Sequence, residues 1–143
     1  MALKDPLFKA FTTFHEAVLR VSKGKVLGTG LGMPMLILAT TGAKSGQRRT
    51  TVLSTPLIDG DTVCLVASFG GDDRNPAWFH NVVAHPEVEI TLHNETRKMV
   101  ARVPEGTERE QLWERITAAH DNYAGYQKKT DRTIPVVVLE PAP

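Results

Sequence analysis

The chain of 143 residues has one cysteine, Cys64. A single thiol can neither close an internal disulfide nor build a thiolate metal cluster, so a reducing, cytoplasmic setting is expected. Charge of one sign is also missing: Lys and Arg total 17, Asp and Glu 16. Nucleic-acid binding usually needs a clear basic excess, and none is expected here. No apolar run approaches ~18 residues, so no membrane-spanning helix is expected. The N-terminus lacks the basic-then-apolar layout of a signal peptide. The five histidines, His15, His80, His85, His93 and His120, lack H-x-x-x-H spacing and cysteine partners, which argues against a metal site. No G-x-S-x-G element is present. "GTGLGM" brings its third glycine one position early for a dinucleotide fingerprint, and it follows no clear strand.

What is there reads as one domain over 1–143, mainly β with flanking helices. An amphipathic helix is expected over 1–24, where Leu7, Phe11, Phe14 and Val18 share one face. It either packs on the domain or lies against a membrane surface or a cofactor. After a glycine-rich connector, the barrel core is expected over 35–141. "MLILA" from Met35 is strand-like, as are "TTVLSTPLI" and "TVCLVAS", with a hairpin centred on Asp59-Gly60 between the last two. Two prolines bracket a short helix in "PAWFHNVVAHP". A second hairpin is expected around Asn94-Glu95. In "GTEREQLWERITAAH" Thr107 and Glu110 form a capping-box pattern, with Leu112, Ile116 and Ala119 on one helical face. "IPVVVLEP" closes the chain as a buried strand. Tight turns between consecutive strands argue for antiparallel pairing in a small barrel or half-barrel, not a doubly wound α/β fold.

Three stretches carry candidate chemistry. "TTGAKSGQRRT" combines two glycines, Lys44, Ser45, Arg48 and Arg49. It fails the Walker pattern, because no glycine directly precedes the lysine and a strand-like segment follows. The residue types still suit an anion: glycines let N–H groups turn toward a ligand, and Arg grips phosphate or carboxylate in a fork. The competing reading is a solvated basic turn. "SFGGDDRNPAWF" offers a glycine loop that a flat ligand can approach, followed by a helix N-terminus; Trp78 also reads as core. Tyr123 and Tyr126, the only tyrosines, share a face at helical spacing.

Together "TTGAKSGQRRTTVLSTPL", "VASFGGDDRNPAWFHNVVAHPEVEI" and "YAGYQKKTDRTIPVVVLEP" resemble the deazaflavin-dependent nitroreductase family of actinobacteria. The resemblance covers roughly 35–141. It implies a split β-barrel of the FMN-binding, pyridoxamine-oxidase type and coenzyme F420, an 8-hydroxy-5-deazaflavin with a phosphate and an oligoglutamate tail. Carried onto this sequence, the tail-binding motif falls on Ala43, Lys44, Ser45, Arg49 and Thr50. Ala43 stands where an arginine is common, and Arg48 is a compensating cation. The ring contacts fall on Val66, Ala67, Ser68 and Phe69, the last in place of a lysine, and on Ala77, Trp78, Phe79, His80 and Asn81. Tyr123 falls beside ring and substrate. Tyr126 and His120 fall at the substrate pocket, and Tyr123, Tyr126 and Ser68 are the candidate catalytic residues.

The activity implied is hydride transfer from the reduced deazaflavin to a small-molecule electron acceptor: a quinone, an enone or a nitroaromatic. The rival readings are a non-catalytic deazaflavin carrier and an FMN oxidoreductase of the same fold. A small open barrel also allows a homodimer, and the N-terminal helix allows peripheral membrane contact.

Overall fold

The computed structural model describes residues 33–143. The expected helix over 1–24, with its membrane reading, lies outside the described residues. Seven strands form one antiparallel sheet: β1 Met35–Thr41, β2 Arg48–Ser54, β3 Leu57–Asp59, β4 Thr62–Val66, β5 Glu87–Leu92, β6 Glu95–Arg102 and β7 Val136–Pro141. Among the described residues there are also three helices, α1 Ala77–Ala84, α2 Gly106–Ala119 and α3 Asn122–Gln127, and a 3-10 turn at Phe69–Gly71.

The strand order is β2-β1-β5-β6-β7-β4-β3, so the two outermost strands are consecutive in the chain. Only Thr55 and Pro56 separate them. Three Cα–Cα steps span at most ~11 Å, whereas seven flat strands would stretch ~29 Å from edge to edge. The sheet therefore curls until its ends meet, which makes it a split barrel. Thr55 secures the corner: it is 1% exposed, its N–H donates to Pro34 O (3.0 Å), and its hydroxyl donates to Cys64 O (2.7 Å).

The barrel interior follows from the period-two alternation of strand side chains. Along β5, Val88, Ile90 and Leu92 are buried, while Glu87, Glu89 and Thr91 face outward. Their inward faces meet Leu36, Leu38, Val63, Leu65, Val137 and Leu139 in the main core. In β7, Val137 and Leu139 pack into the main core on one face while Val136 packs with Ile116 and Tyr123 on the other, so both faces are covered, which explains its unbroken apolar run. A second cluster of Met33, Val66, Ile116, Tyr123, Ile134 and Val136 ties α2 and α3 to the barrel.

Several local expectations are corrected. "TTVLSTPLI" is not one strand: Pro56 lacks the N–H that a paired strand needs, and the run breaks there into β2 and β3. The first hairpin turns on Gly60-Asp61, with Asp59 opposite Thr62 and Gly60 at φ +60°. The second turns on His93-Asn94, with Leu92 opposite Glu95. Both turn residues have positive φ (53° and 65°), as a type I′ turn requires. The capping box does not form: α2 starts at Gly106, its N-cap Glu105 makes no side-chain cap bond, and Glu110 pairs with Arg109. Ala119 is exposed. The buried face of α2 instead uses Arg109, whose guanidinium lies 4.5 Å over the Trp113 ring and donates to Ile134 O (2.6 Å).

Cys64 is 3% exposed in β4, and burial pushes its thiol from an ordinary 9.0 up to about 11. The folded state holds the proton more tightly than the unfolded chain, so this residue's contribution to stability is intact below the ordinary value and is lost as pH rises from 9.0 towards 11. The native protein should therefore resist thiol alkylation at about pH 8 and label only as it unfolds. Rapid stoichiometric labelling without loss of circular dichroism would contradict this burial.

Candidate active site

The basic motif is the loop that joins β1 to β2, closing on the pair Thr41 and Arg48. Gly42 N–H donates to Gln47 O (2.7 Å), and Gly46 N–H donates to Gly42 O (3.0 Å). Gly46 takes φ +69°, a conformation that favours glycine, and a Cβ on Gly42 would push the Ser45 hydroxyl out of its place in the loop. Ser45 Oγ accepts from Gln47 N–H (3.1 Å), which leaves its own hydrogen free to donate outward. The Asn81 side chain, 9% exposed on α1, pins the loop from behind. Its Oδ1 accepts from Ala43 N–H (2.9 Å), and its Nδ2 donates to Thr40 Oγ1 (3.1 Å).

Strand alternation decides which arginine serves the site. Arg49 faces the cleft beside Lys44 and Ser45. Arg48, its neighbour in β2, faces the opposite side and pairs with Glu89 Oε1 at 3.0 Å. The expectation that Arg48 compensates for the alanine at position 43 is therefore corrected: it borders a different depression, with Glu87 and Lys98. Among the described residues, Lys44 and Arg49 have no acidic partner, so two uncompensated cations stand at one end of the cleft.

The cleft holds about 1100 Å³ and runs from this loop to the exit of β4 and the start of α1. Leu53, Thr50 and Thr51 of β2 form one side; Val66, Ser68, Phe69 and Gly70 form another; Pro76, Ala77, Trp78 and His80 close the third. Phe69 is half-exposed and takes φ +46°, with the Arg74 guanidinium 5.7 Å from its ring. The N-cap of α1 is Pro76, which offers no side-chain cap. The first amides of α1 therefore remain available to a ligand. Trp78 does both things expected of it: it packs into the main core and borders the cleft.

The remaining candidates lie elsewhere. Ala67 is fully buried behind the wall, and Phe79 packs against the main core. Tyr123 is 5% exposed in the second cluster, its hydroxyl donating to Met33 Sδ (3.4 Å), and burial pushes its pKa to about 12. Tyr126 meets it edge-on, with ring centroids 6.0 Å apart. His120 caps the C-terminus of α2. None of these three lines the cleft among the described residues, although Val66 borders both the cleft and the tyrosine cluster. Thr40, Thr51, Leu53 and Pro76 are cleft residues that the sequence reading missed. Pro76 alone carried a local signal, as the residue that opens α1.

The donor set fits a flat, partly apolar molecule with a polyanionic tail. Leu53, Val66, Phe69 and Trp78 supply apolar surface at one end; Lys44, Ser45 and Arg49 supply charge and a hydroxyl at the other. The fold is the split β-barrel shared by an F420-H2 dependent reductase and by a pyridoxinephosphate oxidase family protein. The family model of F420H(2)-dependent quinone reductases matches residues 12–141. An F420H(2)-dependent quinone reductase of Mycobacterium tuberculosis is 42% identical over 129 residues, 87% of this chain and 86% of that protein. A solved F420-H2 dependent reductase (FDR-A) superposes with TM-score 0.67 at 42% identity, covering 75% of this chain and 94% of its own. A structure described as a domain-swapped dimer gives TM-score 0.68 at 37% identity, covering 85% and 96%. The chain belongs to the F420H(2)-dependent quinone reductase family, and its cofactor is coenzyme F420.

Replacing Asn81 by Leu keeps the branched shape and removes both hydrogen bonds, stranding the Ala43 amide and the Thr40 hydroxyl. Asn81→Leu should lower stability by ~1–3 kcal/mol in urea unfolding. An unchanged midpoint would show that the bridge contributes nothing.

Proposed function

We propose that the cleft holds coenzyme F420 with its phosphate and tail at Lys44, Ser45 and Arg49 and its ring toward Val66–Gly70 and the start of α1, and that the acceptor reduced there is a quinone. The observation that supports this reading is the pair of uncompensated cations, Lys44 and Arg49, in one cleft with the apolar surfaces of Leu53, Val66 and Trp78. When bound, the reduced deazaflavin supplies a hydride to the acceptor.

The chain's own residues bind and orient. The guanidinium of Arg49 forks onto phosphate or carboxylate oxygens while Lys44 acts as a point charge. Thr50 borders the same end of the cleft. The amides of Ala77 and Trp78 donate to an electronegative ring edge, and the apolar wall keeps water from the ring face. Ala43 contributes shape only, since its amide is committed to Asn81.

Quinone reduction also consumes a proton. Ser68 is the catalytic candidate that borders the cleft. Tyr123 holds its proton to about pH 12 and keeps its hydroxyl on Met33, behind Val66. On this reading Tyr126 and His120 act on acceptor preference. A homodimer belongs to the same reading and is supported by the relative described as a domain-swapped dimer.

Fluorescence titration with oxidised F420, with FMN in parallel, tests the assignment. The expected result is micromolar-range binding of F420 and much weaker binding of FMN; the reverse preference would overturn the proposal. Lys44→Ala combined with Arg49→Ala should weaken F420 binding by at least about a hundredfold at low salt and flatten its ionic-strength dependence. Tyr123→Phe should leave cofactor affinity unchanged; a tenfold loss would bring that hydroxyl into the cofactor's reach.

A further inference from the structure

Arg132 lies between α3 and β7, outside the cleft, and none of the assignments above uses it. Its side chain makes four hydrogen bonds, all into the segment 67–75. Nε donates to Asp72 O (2.8 Å), Nη1 to Asn75 Oδ1 (2.8 Å), and Nη2 to Ala67 O (3.2 Å) and Ser68 O (3.0 Å). Three of these acceptors are backbone carbonyls, so the guanidinium reads the path of the chain more than its side chains.

These bonds bracket an unusual run. Phe69, Gly70 and Gly71 take φ of 46°, 65° and 87° in succession. For Phe69 this left-handed conformation is unfavourable and persists only when its surroundings fix it. Ala67 and Ser68 are held just before the run, Asp72 and Asn75 just after it. Behind the run there is no room to yield: a Cβ on Gly71 would lie 2.8 Å from Tyr126 O and 2.9 Å from Lys129 Cβ. Arg132 is itself anchored, its carbonyl accepting from Gln127 Nε2 (2.6 Å) and its N–H donating to Thr130 Oγ1 (3.3 Å). Thr130 in turn donates to Asp73 Oδ1 (2.7 Å).

The orientation has a chemical result. In a trans peptide the N–H points opposite its carbonyl. With the carbonyls of Ala67 and Ser68 drawn to Arg132, the amides of Ser68 and Phe69 point the other way. Both residues border the cleft, which Arg132 does not. Neither amide has an acceptor among the described residues. We propose that Arg132 is a positioning residue of the reductase: through four bonds to the 67–75 segment it turns the Ser68 and Phe69 amides into the cleft as a donor pair for the polar edge of a flat ring. This role rests on the F420 reading given above.

The test compares wild type with Arg132→Lys, Arg132→Ala and Asn75→Ala, the last removing one of the four bonds and guarding against a variant that does not fold. Three quantities are read: affinity for oxidised F420, the absorption band of the bound cofactor at saturation, and hydrogen exchange of the Gly71 and Asp72 amides without cofactor. Arg132→Lys should bind about tenfold more weakly, return the band toward its position in water, and exchange faster at those two amides. The ionic-strength dependence set by Lys44 and Arg49 should stay as in wild type. Asn75→Ala should show a smaller change of the same kind, and added guanidinium should restore the band in Arg132→Ala. Wild-type affinity, band and exchange in Arg132→Lys would overturn this role alone. Failure of the wild-type protein to bind F420 would overturn the proposed function and this role together.

Discussion

Two residues, Thr55 and Pro56, join the outermost strands of a seven-stranded sheet, and that short tether forces the sheet to close. A longer connection would have allowed an open sheet with two free edges. Closure sets where everything else can lie. It puts β2, which carries Arg49, within one cleft's width of the segment after β4, which carries Ser68 and Phe69. The Thr55 hydroxyl, sunk in the corner and bonded to the Cys64 carbonyl, holds the tether against β4 from inside.

Within that frame the cleft is assembled from three chain segments that each surrender freedom to a neighbour. The β1–β2 loop is shaped by its own glycines and held by Asn81 of α1. The segment after β4 is shaped by its left-handed residues and held from the far side by the stretch before β7. Helix α1 contributes an uncapped first turn. In the proposed function, anion recognition falls to a hairpin loop and side-chain cations, where a nucleotide-binding P-loop would use a strand-to-helix turn. Asn81 links two of these segments: it sits on α1 and holds the β1–β2 loop through Ala43 and Thr40.

Much of this was legible in the sequence because local physics and tertiary context agree. Alternation in "EVEITL", the proline-bracketed helix and the buried "PVVVL" all read correctly. The hairpins were found, each displaced by one residue, because Asp-Gly and Asn-Glu fix that a turn occurs, while the register of the paired strands decides which residues occupy it. The split of "TTVLSTPLI" had a signal, Pro56, that the β-branched run outweighed. The basic loop was legible by composition, but the division of labour between Arg48 and Arg49 was not. It depends on which face of β2 looks into the cleft, and Glu89 on β5 claims the other. The burial of Tyr123 was equally unreadable, since helical spacing pairs it with Tyr126 without saying which neighbour covers the pair. The role of Arg109 on the inner face of α2 was hidden for the same reason: its carbonyl partner, Ile134, lies in the segment leading to the last strand.

The position of β7 carries a consequence for how the molecule is made. β4 pairs with β7 from Val63 opposite Leu139 to Val66 opposite Val136, partners separated by half the chain. A growing polypeptide therefore completes β1 through β6 before the strand that joins β4 to β6 exists. Until β7 emerges, the facing edges of β4 and β6 are unsatisfied. Such long-range pairing makes barrel closure a late event, and in the interval the nascent chain exposes two strand edges to other chains.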